Sequence, residues 1–238
     1  MNPAANVEPP CGATNWGAEA VTGVPHVNNE VSALNPKEAL IKVMGAIHSR
    51  GWCDGTGGNF SCVIQRQPLQ LLMAPSGVDK GNLLATDLIC VDENGQVVEG
   101  KGKASAETLM HLAIVKHCGA GAVLHSHSQA GTLLSQWALA KGQLELSDLE
   151  MLKGLEGINC HSASVLIPIL ANDQNLARLS AAAIAPLATA PQGILIAGHG
   201  LYAWGVDLFH ANRHLEIIEF LLEQKWRQLI LQGLGIKA

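Results

Sequence analysis

Apolar positions fall into helical spacing at three places along the chain and into short strand-like runs between them. Leu40, Val43, Met44 and Ile47 recur at helical intervals after Asn35-Pro36-Lys37-Glu38. That start supplies an N-cap, a proline at the first helical position and an early acid, and Gly51 closes the element. From Phe60 to Val98 the pattern changes to strands and turns, with Val63, Ile64, Leu71 and Leu72 as strand material. Asn94-Gly95, between Ile89-Cys90-Val91 and Gln96-Val97-Val98, predicts a hairpin. Ser105 predicts the N-cap of a helix through Leu109 and Leu112 to Gly119, and residues 121–127 form an apolar strand ending in histidines. Ser128 opens a helix toward Lys141, Ser147 caps a short one, Val165 to Leu170 is a strand, and Asn172 caps a helix ending near Pro191. Gly193 to Trp204 reads as strand, glycine turn, strand. Asp207 starts a last helix in which Leu208, Leu215, Ile218, Leu222 and Trp226 share a face. Helices alternate irregularly with hairpins, which disfavours a purely parallel sheet and favours a layered α/β arrangement around a mixed sheet.

Residues 1–34 carry Pro3, Pro9, Pro10 and Pro25 without any apolar period, so a loose leader is expected there and a single domain over 35–238. With 48% hydrophobic and 15% charged residues, disorder is excluded for the bulk of the chain. The net charge is -5 and the basic residues are scattered, so no nucleic-acid footprint is expected. None of the six cysteines stands in C-x-x-C spacing, which points to reduced thiols. No apolar run reaches membrane-spanning length and the start of the chain has no signal-peptide pattern, so a soluble cytoplasmic protein without a membrane partner is expected.

The candidate chemistry begins with His125-Ser126-His127. Alternation along a strand points both imidazoles to one face, two-thirds of the three-ligand set typical of catalytic zinc. With 10 histidines in the chain, roughly 0.4 such pairs arise by chance, so two plain edge-of-strand histidines are an equal reading of the pair alone. Ala197-Gly198-His199-Gly200-Leu201 shifts the balance, because flanking glycines let the backbone turn and project one imidazole. His161 is a rival third ligand in a polar stretch. His111, His117, His210 and His214 fall on helices, where surface or core roles suffice.

Three segments could hold an anion: the Gly55-Thr56-Gly57-Gly58-Asn59 turn, the Ser76-Gly77 turn, and the helix start at Ser105. They would serve one phosphate if the fold brings them together; each by itself is also a plain turn or cap. Glu150 sits in Ser147-Asp148-Leu149-Glu150, a capping-box pattern, and Glu107 in the turn after Ser105. A structural role is sufficient for either acid.

Taken in order, residues 36–226 resemble the class II aldolase/adducin family. Trp52 to Ser61 resembles its phosphate loop, Pro75 to Lys80 its second substrate turn and Lys103 to Leu109 its next helix start. Residues 122–128 and 197–200 resemble its zinc-ligand segments, which implies Zn2+ on His125, His127 and His199. Leu149 to Gly154, His199 to Gly205 and Glu219-Phe220-Leu221 resemble a branch that removes water from a small phosphorylated ketose in methionine salvage. That likeness implies Glu150 as acid/base and Thr56, Gly58, Asn59, Ser76, Gly77 and Ser105 as substrate contacts. It also implies a three-layer α/β/α sandwich with a mostly antiparallel sheet, assembled as a homotetramer with sites near subunit interfaces. Two positions depart from the family pattern: Gly57 replaces a serine and Ala104 a proline. A sugar-phosphate aldolase or epimerase using Glu107 is the alternative. A non-catalytic adducin-like module is a third reading, which retention of all three histidines disfavours.

Overall fold

Fourteen regular elements follow one another in a computed structural model, which describes residues 35–236. The helices are α1 (Pro36–Ser49), α2 (Thr108–Cys118), α3 (Gln129–Ala138), α4 (Leu176–Leu187) and α5 (Leu208–Gly233). The strands are β1 (Asn59–Arg66), β2 (Leu69–Met73), β3 (Ile89–Asp92), β4 (Val97–Glu99), β5 (Ala122–Ser126), β6 (Gln143–Ser147), β7 (Ser164–Leu170), β8 (Gly193–Ile196) and β9 (Gly200–Gly205). They make one sheet in the order β4-β3-β2-β1-β5-β9-β8-β7-β6. Every neighbouring pair is antiparallel except β7 and β8.

Alternation in the central strands builds the three layers. Leu124 of β5 and Leu201 and Ala203 of β9 face a core shared with Leu40 and Met44 of α1, Leu134 of α3 and Leu215 and Leu222 of α5. Val123, Tyr202 and Trp204 face the other core, with Met110 and Ile114 of α2 and Leu179 and Ala183 of α4. Each fully buried leucine, isoleucine or methionine among them contributes about 1.5–3 kcal/mol relative to an exposed one. The mixed sheet between two helical layers is the expected architecture. No helix among the described residues is long and apolar enough to cross a membrane.

Local rules held at several ends. Asn35 accepts the amide of Glu38 at 3.0 Å, and Gly95, at φ +78°, turns the chain between β3 and β4. Elsewhere the ends moved. The helix expected from Ser105 begins regular winding at Thr108, after a turn in which the Ser105 hydroxyl accepts the Glu107 amide at 3.3 Å. The α4 cap is Asn175, not Asn172. Ser147 caps nothing: it ends β6, Asp148 takes a positive φ of 58°, and Glu150 opens a short 3-10 turn to Gly154. The expected leader lies outside the described residues.

Candidate metal centre

The end of β5 and the turn between β8 and β9 meet because β5 and β9 are registered antiparallel, Ser126 against Leu201. His125 is fully buried and its ring stacks on Tyr202, centroids 3.9 Å apart. Its Nδ1 lies 2.9 Å from the Leu201 carbonyl, which can only accept, so Nδ1 carries a proton and Nε2 is the nitrogen turned to the other rings. His127 follows the strand, its amide donating to Trp52 O at 2.7 Å. His199 is fixed by its amide on Ile196 O at 3.0 Å. Gly200 beside it permits the crossing, since a Cβ there would strike the Ser126 carbonyl.

The three imidazoles converge. His127 Nε2 lies 2.8 Å from His125 Nε2, which lies 3.4 Å from His199 Nε2. Glu107 joins them, with Oε1 at 2.9 Å from His199 Nε2 and 3.6 Å from His125 Nε2. One ligand atom from each of the four residues falls within 4.8 Å of all the others. Burial, and then the neighbouring His125 and His199, push His127 down to about 3, so it is a neutral imidazole at neutral pH. Burial works against the charge of Glu107, but the His125 and His199 rings beside it outweigh that and hold the carboxyl well below the usual range. Nitrogen lone pairs and a carboxylate facing a common point fit a divalent cation, and the His-rich donor set suits zinc or a similar transition metal. The rival His161 is exposed and outside the cluster. His111 is buried against Ser61 Oγ at 2.7 Å, and His214 against Trp204 O at 2.7 Å.

The three anion-binding candidates gather round this centre. Asn59 is registered opposite His125, and its amide donates to Glu107 Oε2. Gly58, at φ +73°, lets the turn lie flat on β5, where a Cβ would come within 2.8 Å of His125 O. Lys80 Nζ donates to Thr56 O at 3.1 Å and Val78 O at 2.9 Å, tying the first turn to the second. The Ser76 amide donates to Lys103 O at 2.8 Å, tying the second to the Ser105 segment. Thr56, Ser76 and Gly77 are exposed and Ser105 is half-buried, so the three hydroxyls and the Gly77 amide stay open to a ligand.

Glu150 is elsewhere. The histidines gather at the level of Leu170, the last residue of β7, whereas Glu150 follows β6, whose last residue Ser147 is registered with Ser164, the first residue of β7. About 20 Å of strand separates those two ends. The Glu150 side chain is 72% exposed and pairs with Lys153.

Two further residues stand near the centre, Lys80 and Glu219, and sequence reasoning assigns neither a role. No local pattern marks a buried lysine. Glu219 was legible as a charge beside Leu215, Ile218 and Leu222 on the apolar face of the last helix. It is 2% exposed and accepts the hydroxyls of Ser126 and Ser128, the latter also capping α3 by accepting the Gly131 amide at 3.0 Å. Burial raises Glu219 to about 7 against the two serines, from an ordinary value of 4.5. Between those values the folded chain holds a proton that the unfolded chain has released. Stability therefore declines as pH rises from about 4.5 through 7, by roughly 3 kcal/mol in total. Glu219→Gln should flatten that decline in chemical-denaturation curves taken from pH 5 to 8; parallel wild-type and variant curves would refute the assignment.

The family described as Class II Aldolase and Adducin N-terminal domain matches residues 38–226, and the chain belongs to it. Curated relatives narrow this further. The chain is 40% identical to methylthioribulose-1-phosphate dehydratase of Serratia proteamaculans, over 82% of this chain and 96% of that one. It is 39% identical to the enzyme of the same name from Sorangium cellulosum, over 77% and 88%. Among solved structures, L-fuculose-1-phosphate aldolase from Thermus thermophilus superposes with a TM-score of 0.67 at 24% identity, over 83% of this chain and 97% of that one. A sugar-phosphate aldolase from Thermotoga maritima gives 0.60 at 19%, over 85% and 96%. Both share the fold.

Proposed function

We propose that the protein dehydrates 5-methylthioribulose 1-phosphate to 2,3-diketo-5-methylthiopentyl 1-phosphate in methionine salvage. It works as a cytoplasmic homotetramer, one catalytic domain per chain, with one zinc ion per subunit. The carrying observation is the convergence of three imidazole nitrogens beside an ionised carboxylate, in a chain 39–40% identical to dehydratases of that name. His125, His127 and His199 would hold the metal, which when bound supplies a positive charge that stabilises the negative charge left on the substrate as its C3 proton departs.

The rest is done by the chain. Thr56, Gly58, Asn59, Ser76, Gly77 and Ser105 present amide and hydroxyl donors to the C1 phosphate. Glu107, ionised at the centre, takes the C3 proton. The C4 hydroxyl leaves as water with a proton from Glu150 of a neighbouring copy, and the enol product becomes the diketone. Its exposure, and the strand length between its end of the sheet and the histidines, support placing Glu150 in trans.

One observation favours the second reading, a sugar-phosphate aldolase or epimerase: Glu107 alone among the candidate acids touches the histidines within the chain. The two reactions diverge at C4, loss of hydroxyl against cleavage of the C3–C4 bond. Metal analysis of purified protein should find one zinc per chain, and the zinc protein should release water from methylthioribulose 1-phosphate. Aldehyde release from fuculose or ribulose phosphates without dehydration would transfer the assignment to the aldolase reading. A metal-free protein of unchanged stability would leave only the adducin-like module.

A further inference from the structure

The residues proposed to meet the phosphate are neutral, yet a sugar phosphate brings nearly two negative charges to a protein of net charge -5. A cation at the phosphate end, apart from the metal held by the histidines, would offset them. Lys80 is the single buried lysine or arginine among the described residues, at 2% exposure. Removing an ammonium from water costs several kcal/mol unless something charged repays it. Lys80 donates to two carbonyls, Thr56 O at 3.1 Å and Val78 O at 2.9 Å, and no carboxylate among the described residues lies within ion-pair distance. Its neighbour Asp79 is turned to His48, 3.4 Å away.

Position gives this cation its meaning. The two carbonyls belong to two of the turns gathered round the metal centre, the first lying against His127 at Gly57, and the ammonium uses two of its three N–H groups to hold them together. Its charge also reaches Glu107 and His127. A stabilising role alone would be served better by an apolar side chain or by a paired lysine.

We propose that Lys80 is the positioning residue of the phosphate end of the site: it clamps the Thr56 and Val78 turns into one anion cradle and supplies the positive potential that draws in a dianionic sugar phosphate. This deepens the reading of these turns as phosphate-binding and is independent of which bond the enzyme breaks.

Inorganic phosphate is the probe, with the zinc-loaded full chain as the protein. Phosphate should bind the wild type and compete with the sugar phosphate. Lys80→Met should weaken phosphate binding on the order of 30- to 100-fold, as expected for losing a charge close to a dianion. KM should rise in parallel, while zinc content is unchanged and kcat falls much less. Lys80→Gln keeps an N–H donor without the charge, should show the same weakening, and serves alone if the methionine variant fails to fold. Lys80→Arg should recover most of the affinity. Phosphate affinity within about twofold of wild type in a folded, zinc-loaded neutral variant overturns the proposal, as does a wild type that ignores phosphate. Equal loss of zinc and thermal stability in all three variants, arginine included, reduces Lys80 to a structural role and also overturns it. A Lys80-dependent phosphate site in a protein that does not dehydrate methylthioribulose 1-phosphate would leave this inference standing and remove the dehydratase reading instead.

Discussion

His199→Ala should abolish turnover, by about 10^3- to 10^4-fold or more, while the protein still folds. The size follows from the metal's share of the work, since a Lewis acid contributes several kcal/mol to a developing negative charge, and about 1.4 kcal/mol is tenfold in rate. His199 is the right ligand to remove. It lies in a turn and its side chain is 21% exposed, whereas His125 is fully buried, stacks on Tyr202, and would leave a cavity if truncated. The variant should retain its unfolding midpoint apart from the part due to bound metal, and bind zinc at least 100-fold more weakly. Wild-type zinc affinity with full activity in His199→Ala would separate this residue from the centre and undo the proposed chemistry. Glu107 tightens the test. It lies 2.9 Å from His199 Nε2, so losing the imidazole also removes one of the two rings that keep the carboxylate charged.

Much of this site could be read because its determinants are local. The H-x-H spacing at the end of an apolar run, and a histidine between glycines at the junction of two such runs, describe strand ends and a turn without any knowledge of the sheet. The meeting of the two segments needs β5 beside β9, and strand order is set by packing between distant residues, which no window of sequence contains. Glu107 shows the same limit. Its place in a helical turn was enough to explain an acid, yet the turn is aimed so that the carboxylate reaches His125 and His199. The strand Gln143–Ser147 was missed altogether. Its alternation of Gln143 and Glu145 with buried Leu144 and Leu146 spans only five residues at the edge of the sheet, too few to outweigh the helical pattern before it. Ser147-Asp148-Leu149-Glu150 satisfied the capping-box pattern and failed as structure because Asp148 turns the backbone to positive φ, ending the strand instead of starting a helix at Ser147.

That failed cap has a functional consequence, which a mixture of two inactive variants should expose. Freed from capping, Glu150 points into solvent beside Lys153, with Met151 exposed next to it. An exposed acid at the wrong end of the sheet can still serve the histidines if a second copy brings its own Glu150 to them, as a symmetric assembly does for every site at once. Glu150→Gln should then cost about 10^2- to 10^4-fold in kcat, the range for losing a general acid, with zinc content unchanged. His199→Ala should be inactive for a different reason. Co-refolded or co-expressed in equal amounts, the two should regain activity, because a site built from the histidines of a Glu150→Gln subunit and the Glu150 of a His199→Ala neighbour is intact. Random assembly makes about one site in four of this kind, so roughly a quarter of wild-type activity is expected. If Glu150 served its own subunit, no mixed site would be complete and the mixture would stay as inactive as its parts. Wild-type-like turnover in Glu150→Gln by itself would remove the residue from the mechanism and leave Glu107 as the sole acid at the centre.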